Sequence, residues 1–327
     1  MRWIIGRLLL SFITIIGSLT LIFVLIRLMP GNPIDYLISQ LMYTQQMPID
    51  AVMAYVKSYY GFLPNKPIHE QYIEYMCNML RGDFGKSLLY LGTPVNSIIG
   101  HNLPWTLFLL SYSILVSFIL GITIGIFLAY KRGTKLDSAF TLGLTILNSV
   151  PPYIVALILV TVGIFTAIPY RGAYSVEPSF SPEFIANVFY HATLPMISYT
   201  LVTFSGWALA MRGSAITILG SDYIVVAIAR GLSKRRILTH YVGKTAILPV
   251  FTSLVISLGF MFGGAVFIET IFAYPGVGYF LSMAVAARDY PLIQGCFFVI
   301  VVSVVLGTLL ADIIYYRIDP RVRRGEV

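Results

Sequence analysis

Residues 102–130 read NLPWTLFLLSYSILVSFILGITIGIFLAY, twenty-nine consecutive positions without a charged side chain. About 18 predominantly apolar residues are enough to cross a bilayer as a helix, so this stretch reads as a membrane span. Working outward, comparable charge-free stretches occupy 8–26, 138–170, 192–211, 245–268 and 290–311. The expectation is an all-α integral membrane protein with six transmembrane helices in the lipid bilayer. Composition agrees: 57% of the 327 residues are apolar and 11% charged, against about 25% charged in soluble domains.

The net charge of +8 follows the same topology. With the N-terminus inside, fifteen Lys and Arg residues fall on the inner side and seven on the outer side. The positive-inside rule then places both termini in the cytoplasm, and the charge reports orientation, with no nucleic acid partner implied. The first apolar run is nineteen residues long and is followed by Arg27, Met29, Pro30 and Gly31. A signal peptide carries an apolar core of only about 7–15 residues, so this run reads as an uncleaved first span. Cys77 and Cys296 stand alone, without a CxxC spacing.

The chain divides into a cytoplasmic end with the first helix (1–28), a small external segment (29–94), a transmembrane core (95–316) with a long inner loop at about 212–244, and a cytoplasmic tail (317–327). In the external segment Ile68, Tyr72, Met76 and Leu80 recur every four residues, predicting an amphipathic helix opened by Pro67 that packs on the membrane face of its own protein. Gly121 with Gly125, and Gly259 with Gly263, form small-xxx-small faces that serve tight packing within the chain or a dimer contact. Pro151 and Pro152 predict a break in the third span, directly after Asn148 and Ser149 and before Tyr153. Backbone groups freed there must face protein or water, so these three residues are candidates for lining a pathway or for hydrogen bonding between helices.

The six cores hold no Asp, Glu, Lys, Arg or His, which argues against a proton-driven carrier and a membrane-embedded hydrolase. Glu269 reads as a span-end residue, either solvated or functional. Gly85-Lys86-Ser87 and Gly243-Lys244-Thr245 resemble the end of a phosphate loop, but Leu80 and Leu238 stand where its first glycine is required. His69, His101, His191 and His240 lack ligand spacing, and no GxSxG elbow occurs. No catalytic, cofactor-binding or metal-ligating residue is expected, and the chain is expected not to be an enzyme.

In the inner loop, Ser221 and Asp222 can cap a short helix that ends at left-handed Gly231, with Leu232 placed for the accompanying contact. Ser233 can cap a second helix through Lys234, Arg235 and Arg236. Ala227 and Ala229 add little bulk. The result is a compact knob suited to docking, or an interfacial loop whose basic residues hold headgroups.

The segment from Asp222 through Arg230, Gly231 and Arg236 to Ile247-Leu248-Pro249 resembles the ATPase-docking loop of ABC importer permeases. Gly82-Asp-Phe-Gly-Lys-Ser87, His191-Ala-Thr-Leu-Pro195, Arg212-Gly-Ser214, Glu269-Thr-Ile-Phe-Ala-Tyr-Pro-Gly276, Arg288-Asp-Tyr-Pro291 and Asp319-Pro-Arg321 extend the likeness in order along nearly the whole chain. The likeness is closest to the peptide/nickel branch, and the long outer segment resembles the B-type subunit of dipeptide and oligopeptide importers. Val225, Val226 and Ala227 stand where generic importers place Glu-Ala-Ala, as in that branch.

The resemblance implies a type I ABC importer permease fold in a prokaryotic inner membrane. It implies a heterodimer with a homologous second permease, two cytoplasmic ATPases that bind ATP and Mg, and an external substrate-binding protein; the chain itself would carry no cofactor. It implies ATPase docking by Asp222, Tyr223, Ala227, Ala229, Arg230, Gly231, Leu232, Ser233 and Arg236. Asn148, Ser149, Tyr153 and Glu269 are the pathway candidates. Peptides are the expected substrate, with a nickel chelate, glutathione or an oligosaccharide open as alternatives. A self-contained channel or secondary carrier and a membrane-embedded enzyme are the rival functions.

Overall fold

A backbone in hydrocarbon must satisfy its own N–H and C=O groups, and this chain does so with helices. A computed structural model describes residues 2–28, 38, 42–43, 46–52, 67–90 and 92–318; the side chains of 2–4, 258–264 and 315–318 lie outside the described part. Helix α1 spans Arg2–Leu28, α2 Ile68–Arg81, α3 Val95–Tyr130, α4 Lys135–Ser149, α5 Pro152–Phe165 and α6 Pro182–Leu219. After these come α7 (Asp222–Ala229), the short turn α8 (Lys234–Arg236), a π-helical stretch Ile237–Gly243, α9 (Lys244–Ile271), α10 (Val277–Ala287) and α11 (Tyr290–Ile318). Among the described residues the fold is all-helical, apart from an isolated antiparallel pairing of Lys86 with Pro94.

Among the described residues four helices, α1, α3, α6 and α11, are long and apolar enough to cross a membrane. The third predicted span is two helices, α4 and α5, meeting at 94°, which brings the number of candidate spans to as many as five. Val150 and Pro151 are extended, and Pro152 opens α5 where its missing N–H costs nothing. The predicted span at 245–268 falls on α9, part of which lies outside the described side chains.

The chain forms two compact units, 1–104 with 276–305 and 105–275 with 306–327. In the first, α2 packs on α1. The Tyr75 hydroxyl donates to the Leu19 carbonyl at 3.3 Å, the Thr20 and Tyr72 hydroxyls meet at 2.8 Å, and Phe23 contacts both tyrosine rings. The helix and its packing on the chain's own span are as expected, but its inner face is Tyr72, Tyr75, Met76 and Met79, with Ile68 and Leu80 exposed. A four-residue repeat drifts about 40° per step on a 3.6-residue turn, so its ends swing off the contact.

The Gly82–Ser87 turn is tied to the start of α11. Left-handed Gly85 donates to Asp83 Oδ1 at 3.0 Å, and the Asn96 side chain bridges the Phe84 N–H and the Gly82 carbonyl. Fully buried Asp289 accepts from the Ser87 hydroxyl, from the Leu88 and Leu89 amides at 2.8 and 2.9 Å, and from Leu292 N at 3.1 Å in the first turn of α11. The amides after Gly85-Lys86-Ser87 do form an anion nest, and the chain's own carboxylate fills it. Next to it, burial foremost, then the nearby Tyr279 and Asp289, raises the Tyr90 phenol above its usual pKa.

In the second unit α3 and α6 meet backbone to backbone. A β-carbon on Gly121 would overlap that of Trp207, and one on Gly125 would lie 2.6 Å from the Ala208 carbonyl oxygen. This pair of glycines is therefore a seam within the chain. The surroundings of Gly259 and Gly263 lie outside the described side chains. Leu128, Leu144 and Ala208 close the core beside the seam, and the Phe118 ring meets Trp207 edge-on.

Candidate functional site

The knob forms as a helix, a left-handed stop and a second helix. At the end of α7, Gly231 N donates to Ile228 O at 2.9 Å and Leu232 N to Ala227 O at 3.3 Å, with Gly231 at φ +72°. These are the two bonds of a Schellman stop. Ser233 caps the second helix by accepting from Arg236 N at 3.4 Å. Ser221 occupies the N-cap position of α7 without capping it, because its hydroxyl donates back to Ile218 O at 2.6 Å and closes α6 instead. Asp222, in the first turn, places negative charge at the positive end of the helix dipole.

Ile224 and Ala227 are buried and anchor α7, so Ala227 faces inward, away from any docking surface. Tyr223, Val225, Val226 and Ile228 are exposed, the last three at 62, 52 and 61%. Asp222, Ala229, Arg230, Gly231, Ser233 and Arg236 are exposed too, and Leu232 is half-buried. The surface offered is thus an apolar helix face beside Arg230, Lys234, Arg235 and Arg236. After it, Ile237–Gly243 is π-helical, a wide form that recurs at functional sites, and it packs against both α6 and α7.

The last turns of α6 are clamped just before the knob. Arg212 grips Asp137 with two parallel bonds, Nε to Oδ1 at 2.7 Å and Nη2 to Oδ2 at 2.8 Å. The Gly133 amide and Thr141 hydroxyl complete the shell of this buried carboxylate. Ser214 donates to the Ala246 carbonyl at 2.8 Å and ties α6 to the start of α9. The sequence reading missed the ion pair; its only signal was two opposite charges at the same inner boundary of spans.

The pathway candidates separate. Asn148 is seated on α6, its Oδ1 2.9 Å from where a β-carbon on Gly206 would sit, which is a packing contact between helices. Ser149 donates to Thr145 O in its own helix, and the half-exposed Tyr153 ring lies 6.0 Å from Phe267. Glu269 is fully buried, so it is no solvated span-end residue: the chain folds back over it, with Tyr274 N donating to Glu269 O at 2.8 Å and Phe272 and Tyr274 fully buried. Burial foremost, then the nearby carboxylate, raises the Tyr274 phenol above its usual pKa. Gly172 donates to Phe272 O at 3.2 Å, and the Trp105 ring meets both Tyr174 and Tyr274, which pins the 166–181 connection over this corner.

A feature absent from the sequence reading is a cavity of about 370 Å³ whose walls include Ile114 of α3, Tyr199, Thr203 and Trp207 of α6, and Ser257 of α9. Among the described residues no group of three His, Cys, Asp or Glu side chains is placed to hold a metal ion.

Residues 121–324 match the family of binding-protein-dependent transport system inner membrane components. The chain is 33% identical over 307 residues to a probable peptide ABC transporter permease, y4tP, of Sinorhizobium fredii, covering 92% of this chain and 93% of that one. It is 32% identical to the oligopeptide transport system permease AppB of Bacillus subtilis, over 98% of both chains. To the glutathione transport system permease GsiC of Salmonella choleraesuis it is 28% identical over 99% of both. A likeness that runs end to end and takes in the knob, its clamp and the bent helix pair has one meaning: the chain is a membrane-spanning member of the binding-protein-dependent transport system inner membrane component family.

Proposed function

We propose that this chain is one permease subunit of an ATP-binding-cassette importer for peptides, forming half of the pathway in a heterodimer with a homologous second permease. An external binding protein delivers the peptide, and two cytoplasmic ATPases bind ATP and Mg and do the hydrolysis, so the chain is a non-catalytic subunit. Both termini and the knob lie on the cytoplasmic side. The observation that carries this reading is the exposed apolar face of α7, held out on a buried anchor and stopped by Gly231. Such a face buries well in a groove on a partner, where each fully covered Val or Ile contributes about 1.5–3 kcal/mol. Motion of the docked ATPase would pass from α7 into α6 and, through Arg212 and Ser214, into α4 and α9. The peptide assignment draws on the relatives, which are peptide, oligopeptide and glutathione permeases, and glutathione is itself a tripeptide.

Gly231→Val tests the docking role. A β-carbon there meets nothing within 4 Å, so the substitution acts only through the backbone, where a left-handed residue with a side chain costs about 1–2 kcal/mol. The expected result is loss of ATPase copurification and of peptide uptake, with the thermal midpoint of the membrane subunit lowered by no more than about 5 °C. Gly231→Asn, which tolerates this conformation, should keep both. Normal copurification and uptake by the valine variant would remove α7 from the interface.

A further inference from the structure

We infer that the cavity beside Tyr199, Thr203 and Trp207 is a subsite that reads the peptide unit of the substrate, an assignment that rests on the peptide-importer reading and deepens it. Tyr199, Thr203 and Trp207 are spaced four residues apart and share one face of α6. They lie near the middle of a helix of 38 residues, well away from either aqueous end. At that depth a polar group without a partner is costly, because no water is at hand to satisfy it.

Two such groups stand on this wall. The Trp207 indole N–H is buried and donates to no acceptor among the described residues. Tyr199 is only 9% exposed, and no described residue offers its hydroxyl a partner. The other hydroxyls have spent their protons: Thr203 donates to Tyr199 O at 2.8 Å and Ser257 to Ser253 O at 2.9 Å. Both keep lone pairs. Among the described residues the wall thus offers an unpartnered N–H, an unpartnered phenol and hydroxyl acceptors, with no charge.

That set complements a neutral amide, whose carbonyl needs a donor and whose N–H needs an acceptor. It does not suit a carboxylate, an ammonium or a metal chelate, each of which would require a counter-charge when buried. At about 370 Å³ the cavity is in the range of small-ligand sites. Reading the backbone amide also leaves side chains unread, which fits a pathway whose selection is made elsewhere.

The test uses the whole transporter in proteoliposomes, with the second permease, the ATPases and the binding protein, and tri-alanine as substrate. Trp207→Phe keeps a ring against Phe118 and the glycine seam while deleting the donor; Tyr199→Phe deletes the other. Because neither group has a partner among the described residues, both variants should unfold at the wild-type temperature or above it. Peptide moved per ATP hydrolysed should fall by about tenfold or more for Trp207→Phe and further for the double variant, with binding-protein-stimulated ATPase retained. Wild-type coupling in both single variants would overturn the subsite, as would a lowered unfolding temperature with uptake and ATPase falling together. Should the wild-type assembly itself take up no tri-alanine with ATP, the importer reading fails in its own right.

Discussion

Replacing Asp289 by alanine should destabilise the protein by about 4 kcal/mol. The carboxylate serves four donors: the Ser87 hydroxyl and the amides of Leu88, Leu89 and Leu292. A hydroxyl can turn to a new partner, but three fixed backbone N–H groups cannot, and each costs about 1–3 kcal/mol when stranded away from water. Two of them are only part-buried, which pulls the total below the upper sum. Asp289→Asn retains one acceptor oxygen, so it can serve the nest or the first turn of α11 but not both, and its bonds lose the assistance of charge. It should fall about midway. Ser87→Ala leaves the Asp289 carboxylate well served by its amides but also takes the acceptor of the part-buried Tyr90 N–H, for about 1–2 kcal/mol. Thermal or detergent unfolding of the purified subunit should rank the losses Asp289→Ala, Asp289→Asn, Ser87→Ala; an alanine variant as stable as Ser87→Ala would show that the nest does not depend on its anion.

The second large effect lies at the clamp before the knob. Breaking a buried ion pair by removing one partner costs about 3–5 kcal/mol, mostly for the charge left behind. The two sides are unequally placed: the Asp137 side chain is 5% exposed and that of Arg212 is 23%. Arg212→Ala therefore strands the carboxylate with only the Gly133 amide and the Thr141 hydroxyl, and should lie in that range. Asp137→Ala leaves a guanidinium that can reach water, and should cost less, about 2–3 kcal/mol. The apolar double variant Asp137→Leu with Arg212→Met strands no charge and should be more stable than Arg212→Ala. A double-mutant cycle of Asp137→Ala, Arg212→Ala and the two combined, read by unfolding midpoints, checks the coupling. If the two losses simply add, the pair is not coupled and the clamp is incidental.

What the sequence revealed follows the range of the interactions involved. Membrane crossing was legible in runs such as 102–130 because it depends on composition over a local window. The break at Pro151 and Pro152 was legible for the same reason, since proline acts on its own turn; the 94° angle was not, because neighbouring helices set it. Gly231 was readable as a left-handed stop from one residue type. The inward turn of Ala227 was not, because an eight-residue helix of apolar residues presents no contrast between its faces. Glu269 misled for a related reason: its burial comes from Phe272 and Tyr274 folding back over it, which no span-end acid announces. The polar contacts were the least visible. Asp137 and Arg212 lie 75 residues apart, and Ser87 and Asp289 lie 202 apart, distances over which local pattern carries no information.

The seam at Gly121 and Gly125 also sets a mechanical ratio. It meets α6 at Trp207 and Ala208, the latter eleven residues from Leu219 and twenty-six from Pro182. At about 1.5 Å per residue those arms measure about 17 and 39 Å. A rod turned about such a fulcrum moves its long end about 2.4 times as far as its short end. The short end carries the knob, and a rigid α6 turned about the seam by a displacement at α7 would sweep its opposite tip more than twofold further.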